Sequence, residues 1–232
     1  MSMFQIWMVN KGWLGIPGLQ AFYNFEATPP ADQLDTSGNN RTLTYQVNTT
    51  NAASATGKLG NSVAFTSSPQ GLRNLGSKYR TTSWGPNVSS DFSLSVWLKP
   101  RSFDNYQHII GAPFSNRLYI GANGTTLTFN LFNGTAFGIA APAVTLDTWH
   151  HYVFMRDGNT LRLYADNVLI GTTSVSGQSF TPGTAEFHVG GSGPFNEYYY
   201  HGDVDALGVW STVLTAQNVA DLWNSGNGVA LT

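Results

Sequence analysis

Short strand-like runs, each closed by a turn signal, recur from Gln20 to Trp210, and this rhythm restricts the chain more than any other feature. The runs are Gln20–Phe25, Leu43–Val47, Val63–Phe65, Phe92–Lys99, Gln107–Ala112, Leu118–Gly121, Leu127–Phe132, His150–Arg156, Thr160–Ala165, Val168–Ser174, Glu186–Gly190 and Asp203–Trp210. SGNN, FNGT, RDGN, ADN and TPGT punctuate them, as Gly, Asn, Asp and Pro do where a chain reverses. Phe92, Leu94, Val96 and Leu98 alternate with Ser93, Ser95, Trp97 and Lys99, so one face of that strand is apolar throughout. Asp157-Gly158 and Asp166-Asn167 suit tight hairpin turns, which need positive φ. Only one stretch has convincing helical character. Thr215 is its N-cap, Val219, Leu222 and Trp223 share one side, and Gly226 follows as a stop. The pattern predicts an all-β fold, a two-sheet sandwich or jelly roll with one short C-terminal helix, and excludes a fold of strand–helix–strand units.

No proline-rich or charged linker divides the 232 residues, so residues 19–232 are expected to form one domain. Charged residues make up 10% and aromatics 13%, a sheet-and-turn composition with enough apolar mass for a large core. A net charge of −2 without clustered Lys or Arg offers nothing to a phosphate backbone, which excludes nucleic acid as a partner. The absence of cysteine removes disulfides and thiolate metal sites. The opening MSMFQIWMVNKGWLGIPGL has no basic n-region, and Asn10 and Lys11 break its apolar run. It is therefore read neither as a signal peptide nor as a membrane span. Residues 1–18 are either an added strand over the sandwich or an arm whose Phe4, Ile6, Trp7 and Trp13 dock on a partner.

In the last strand, alternation sets Asp205, Leu207 and Val209 on one face and Val204, Ala206, Gly208 and Trp210 on the other. Both faces are largely apolar, so Asp205 is expected to be buried. A buried carboxylate needs a metal, a cation or several hydrogen bonds. The segment GDVDALGVWSTVLTAQNVADLWNSGNG (Gly202–Gly228) resembles the closing strand and helix of the laminin-G-like jelly rolls, within the concanavalin A-like lectin/glucanase superfamily. Further blocks fall in that family's order: AFYNFE (Ala21–Glu26), DTSGNN (Asp35–Asn40), GKLGNSVAF (Gly57–Phe65), FSLSVWLKP (Phe92–Pro100) and WHHYVFMRDGNTLRLYADNVLIG (Trp149–Gly171). The resemblance spans about residues 19–228 and implies a two-sheet antiparallel jelly-roll sandwich of the concanavalin A-like form.

It also implies calcium (Ca2+) near the early acidic loop. Asp35, Asn39 and Asn40 offer hard oxygens, and Asp205 can complete the shell if first and last strands are neighbours. Alternatively, Asp35 closes an Asx-turn and Asp205 accepts backbone N–H bonds. For a glycan or other surface ligand, the aromatic loop offers Asn196, Glu197, Tyr198 and Tyr200, with Trp84 as a second platform. The alternative is that one face of this loop packs in the core. Adjacent His150 and His151 cannot share one metal from a regular strand and are read as structural.

Catalysis finds little support. Retaining glycosidases need two carboxylates about 5 Å apart. Here the three glutamates Glu26, Glu186 and Glu197 form no such run, and Asp203 with Asp205 belongs to the closing strand. The sequence therefore predicts a non-catalytic recognition protein, on a virion surface or extracellular. In the first setting it is a bacteriophage decoration or attachment protein, bound to a capsid or tail protein through its arm. In the second it is an adhesion module. Homo-oligomerisation is compatible with both.

Overall fold

The computed structural model describes residues 15–47, 51–66, 76–103, 106–112, 117–123, 126–142, 144–180, 186–191 and 198–229. The strands among them are β1 (Leu19–Tyr23), β2 (Thr44–Val47), β3 (Ala53–Thr56), β4 (Asn61–Phe65), β5 (Ser77–Thr81), β6 (Phe92–Pro100), β7 (Gln107–Gly111) and β8 (Arg117–Asn123). They continue with β9 (Thr126–Phe132), β10 (Ala136–Ala140), β11 (His150–Asp157), β12 (Thr160–Ala165), β13 (Val168–Ser174), β14 (Phe187–Val189) and β15 (Gly202–Trp210). Helix α1 (Ala216–Trp223) follows β15. One sheet runs β13-β12-β11-β6-β15-β4-β3, with β1 also paired to β15, and the second runs β10-β9-β8-β7-β14-β5-β2. Every pairing between these strands is antiparallel. The first and last strands are neighbours, the condition that the calcium reading set: Phe22 lies opposite Gly208 and Tyr23 opposite Leu207.

Strand β15 is the hinge of the first sheet. One edge pairs along β6, while the other is shared between β4, opposite Gly202–Val204, and β1, opposite Leu207–Trp210. The register slips between Asp205 and Gly208, and Ala206 has φ +46°. This β-bulge inverts the side-chain phase. Val204, Leu207 and Val209 enter the core between the sheets, while Ala206 and Trp210 face outward. The simple alternation expected from sequence, with Asp205 beside Leu207 and Val209, is thus corrected by one extra residue.

The inter-sheet core takes Phe92, Leu94, Val96 and Leu98 from β6, with Leu127, Phe129 and Leu131 from β9. A second cluster covers the outer face of the first sheet. Phe22, Trp97, Val153, Met155 and Trp210 meet Leu214, Val219 and Leu222 of the helical segment there. Thr215 caps α1 by accepting the Asn218 N–H at 3.1 Å, and Asn224 ends it in the left-handed region. Because α1 closes that face, the outer face of the second sheet is the broad sheet surface without such a cover among the described residues. None of the described helices is long and apolar enough to cross a membrane.

Candidate functional site

In β9, Leu127, Phe129 and Leu131 point inward, so Thr128, Asn130 and Phe132 point out. Tyr119 of β8, between buried Leu118 and Ile120, and His108 of β7 share that outer surface. With Tyr106 and Ala136 they line a recess of about 240 Å³. Local glycine chemistry shapes its floor. A β-carbon on Gly121 would meet both the Gln107 carbonyl and the Tyr119 ring, so the ring lies flat against the strand only because residue 121 is glycine. The rings are mutually braced. His108 is 4.4 Å from Tyr119 between centroids, and Tyr198 stacks on His108 at 5.5 Å and 21°. Tyr106, 55% exposed, meets Tyr198 edge-on at 6.3 Å. The His108 N–H donates to the Tyr198 carbonyl at 2.7 Å, which ties the loop to the sheet. Apolar ring faces flanked by a carboxamide and an imidazole suit a ligand with both C–H faces and hydroxyl groups.

The structure separates the aromatic residues that the sequence grouped. Tyr198 stacks on His108 and meets Tyr106 edge-on beside the recess, whereas Tyr200 is wholly buried in the core, its ring 6.4 Å from Phe65. Tyr200 is therefore corrected from ligand residue to core residue. Tyr198 has φ +57° and residues 198–200 form no strand, so the alternation that placed the two rings together does not apply. Tyr199, between them, lies across Gly76 and Gly191. Trp84 packs edge-on to Phe187 at 5.6 Å beneath the Arg41 guanidinium at 4.5 Å, so its ring serves the fold. Asn196 and Glu197 lie outside the described residues, as do Phe4, Ile6, Trp7 and Trp13 of the arm. Sequence reading missed Tyr106, His108 and Tyr119. Tyr119 was recoverable from its place between Leu118 and Ile120, but nothing local brings β7, β8 and the Tyr198 loop together.

The two aspartates named for calcium are held by amides. Asp35 Oδ1 accepts from Phe22 at 3.0 Å and Ser37 at 2.9 Å, and its Oδ2 accepts from Arg41 at 3.0 Å. Asn39 donates to the Leu19 and Gln20 carbonyls at 3.2 and 3.0 Å, and exposed Asn40 adopts φ +57°. Asp205 Oδ2 accepts from Leu59 at 2.8 Å, in the turn that joins β3 to β4. Its carboxyl is pushed up to about 7 by burial, against which the backbone amides of Leu59, Ala206 and Lys58 pull down. N–H groups aimed at both Asp35 oxygens and at Asp205 Oδ2 oppose a cation at the same lone pairs, whereas buried Asp205 Oδ1 has no hydrogen-bond partner among the described residues. No group of three or more His, Cys, Asp or Glu side chains among the described residues is placed to hold a metal.

Nor do the carboxylates of the described residues gather at a surface. Asp203 is buried against Arg101 and Lys99, and Asp205 is equally enclosed. Glu26 accepts the Asn61 N–H at 3.1 Å, and Glu186 pairs with Arg80 at 2.6 Å. His151 Nε2 bonds the Ser95 hydroxyl at 2.7 Å, and His150 Nδ1 the Asp166 carboxylate at 2.7 Å, so both histidines brace β11.

A laminin G family model, described as the concanavalin A-like lectin/glucanases superfamily, matches residues 74–220. Comparison with curated proteins gave no match. Among solved structures, the binding domain of Paraclostridial Mosquitocidal Protein 1 superposes with a TM-score of 0.69 at 16% identity, over 90% of this chain and 52% of that one. Domain 4 of AbnA, a GH43 extracellular arabinanase from Geobacillus stearothermophilus in complex with arabinotriose, gives 0.65 at 21% identity, over 88% and 97%. A structure of botulinum neurotoxin type C, whose cell entry depends on interaction with two ganglioside molecules, gives 0.68 at 15%, over 95% and 52%. At such identities the likeness is one of fold. The chain spans about half the length of the toxin structures it matches.

Proposed function

The chain belongs to the concanavalin A-like lectin/glucanase superfamily, and we propose that it is a non-catalytic recognition module that binds a glycan in the aromatic recess. The observation that carries this reading is the grouping of Tyr106, His108, Tyr119 and Tyr198 on the sheet face that no described helix covers. Sugar rings bury their C–H faces on such side chains, while Asn130 and the ring heteroatoms meet hydroxyls. Two structural neighbours, one named a binding domain and the other an arabinanase domain in complex with arabinotriose, support the same class. Calcium plays no part in this proposal.

A glycan array, followed by titration with the best ligand and with arabinotriose, tests it. Tyr119→Ala is expected to weaken binding about tenfold or more, the equivalent of ~1.4 kcal/mol of lost ring contact. Its melting temperature should stay near that of the parent, because Tyr119 is only half-buried. Array-wide silence, or a Tyr119→Ala protein that binds like the parent, sinks the reading.

The module is placed by this proposal on a virion or other exterior surface, with the aromatic residues of 1–18 as its attachment arm. That placement draws on the sequence alone. Removing residues 1–18 is expected to abolish co-sedimentation with a capsid or tail protein while leaving glycan binding intact. Unchanged assembly after the deletion defeats it.

A further inference from the structure

Beyond the aromatic recess, the same sheet has a second and chemically different hollow at its other edge. Strand β2 is the edge strand there, and its Thr44 lies opposite Arg80 of β5. The two strands and their flanking loops enclose about 370 Å³, walled by Asn40, Thr44, Gln46, Thr82 and Ser83, with Arg80 among them. The lining holds hydroxyls and carboxamides, one cation and no carboxylate. Such walls offer both donors and acceptors, the requirement for gripping a ligand dense in hydroxyl groups.

Arg80 is held in a particular way. Its Nε lies 2.6 Å from Glu186 Oε1, a close ion pair without hydrogen-bond geometry. Neither terminal Nη group hydrogen-bonds to a described residue, so the bidentate edge that matches a carboxylate is available. Glu186 Oε1 also lies 3.1 Å from His188 Nε2, an imidazole that burial lowers to about 3 and so leaves uncharged at neutral pH. Lys78, next but one along β5, adds positive charge behind the hollow. Burial, with Arg80 beside it, lowers its ammonium to about 8, which leaves it mainly cationic at neutral pH.

We infer that the β2–β5 hollow is a subsite for an acidic sugar, with Arg80 taking the carboxylate and the Thr, Ser, Asn and Gln side chains taking the ring hydroxyls. The inference rests on the reading that the chain binds glycans and narrows it to glycans that carry uronic or sialic acid. A neutral sugar uses only the walls, whereas an acidic one also gains a charge-assisted pair.

Saturation-transfer NMR on the full chain tests this with glucuronic, galacturonic and N-acetylneuraminic acid against glucose and galactose. At least one acid is expected to receive strong transfer, with an affinity about tenfold above its neutral counterpart. Arg80→Gln should remove that advantage and leave neutral sugars unaffected. Glu186→Gln, which removes the competing carboxylate, should strengthen acid binding, a gain that a merely structural role for the pair would not produce. Equal transfer to acids and neutral sugars, or an acid preference that survives Arg80→Gln, overturns the inference. So does inorganic sulfate that displaces the acid as well as free uronate does, since the hollow would then be a plain anion site. Array binding that depends on Tyr119 without any preference for acids rejects this subsite and spares the proposed function. Silence toward every sugar rejects both.

Discussion

Trp210→Ala is expected to cost about 3–5 kcal/mol, which at this chain length lowers the melting temperature by roughly 10 °C. Trp210 ends β15, has no exposed surface, and lies opposite Leu19 of β1 and Ser93 of β6. It fills the cluster between the first sheet and α1, where Phe22, Trp97, Val219 and Leu222 surround it. Removing the indole leaves a cavity that a two-sided wall of strand and helix cannot collapse to fill. Urea unfolding is the measurement, with a lower midpoint and an unchanged slope as the expected signature. Trp210→Phe, which keeps most of the volume, should recover more than half of the loss. A cost under ~1 kcal/mol would show that α1 does not close this face, and would remove the reason for assigning binding to the opposite sheet. Glycan affinity of the folded Trp210→Ala protein should match the parent.

Stability is expected to fall on acidification below about pH 6.5, with a slope near one proton or ~1.4 kcal/mol per pH unit, down to about pH 4. Three buried groups set the sign. Burial pushes His151 down to about 3, with Asp166 pulling weakly the other way. Burial, Lys78 and Arg80 push His188 down to about 3 as well, although Glu186 at 3.1 Å opposes this, so His151 is the surer contributor. Below the usual histidine value of 6.5, the unfolded chain takes two protons that the folded chain refuses, and stability drops. Asp205 acts in the opposite sense. Its folded carboxyl protonates near 7 and its unfolded one near 3.8, so it adds stability as pH falls between them. Two protons against one leaves a net acid loss. Asp205→Asn is expected to roughly double the acid slope, and His151→Gln to flatten it. Urea midpoints across pH 4 to 8 read all three proteins. An unaltered slope in His151→Gln would remove the buried neutral imidazole from the account.

Much of the fold is legible in the sequence because its signals are local. Each expected run overlaps a strand, and the Thr215 cap and the Asp166-Asn167 turn, at φ +46° and +67°, stand where local chemistry puts them. Three strands escaped: Ala53–Thr56, Ser77–Thr81 and Ala136–Ala140. ASAT and AFGIA form edges of their sheets, where one-sided pairing tolerates small and exposed residues. SKYRT sends only Tyr79 into the hydrophobic core and turns Lys78 and Arg80 outward, so no apolar alternation marks it.

The side on which a residue acts is a different kind of question. The bulge at Asp205–Ala206 reversed the phase of the closing strand, and the left-handed Tyr198 parted it from Tyr200. Neither event leaves a mark in composition or spacing, because both arise where separate strands compete for one edge or a loop must meet a sheet.

The sequence by itself determined the two-layer antiparallel sandwich, its closing helix and the burial of Asp205, since hydrophobic periodicity and turn chemistry act over a few residues. Only the tertiary structure decided that the Leu59 amide holds Asp205 Oδ2, that α1 seals one sheet, and that His108, Tyr119 and Tyr198 meet on the other. Those outcomes depend on contacts between segments far apart in the chain, whose register is fixed by packing the whole core at once.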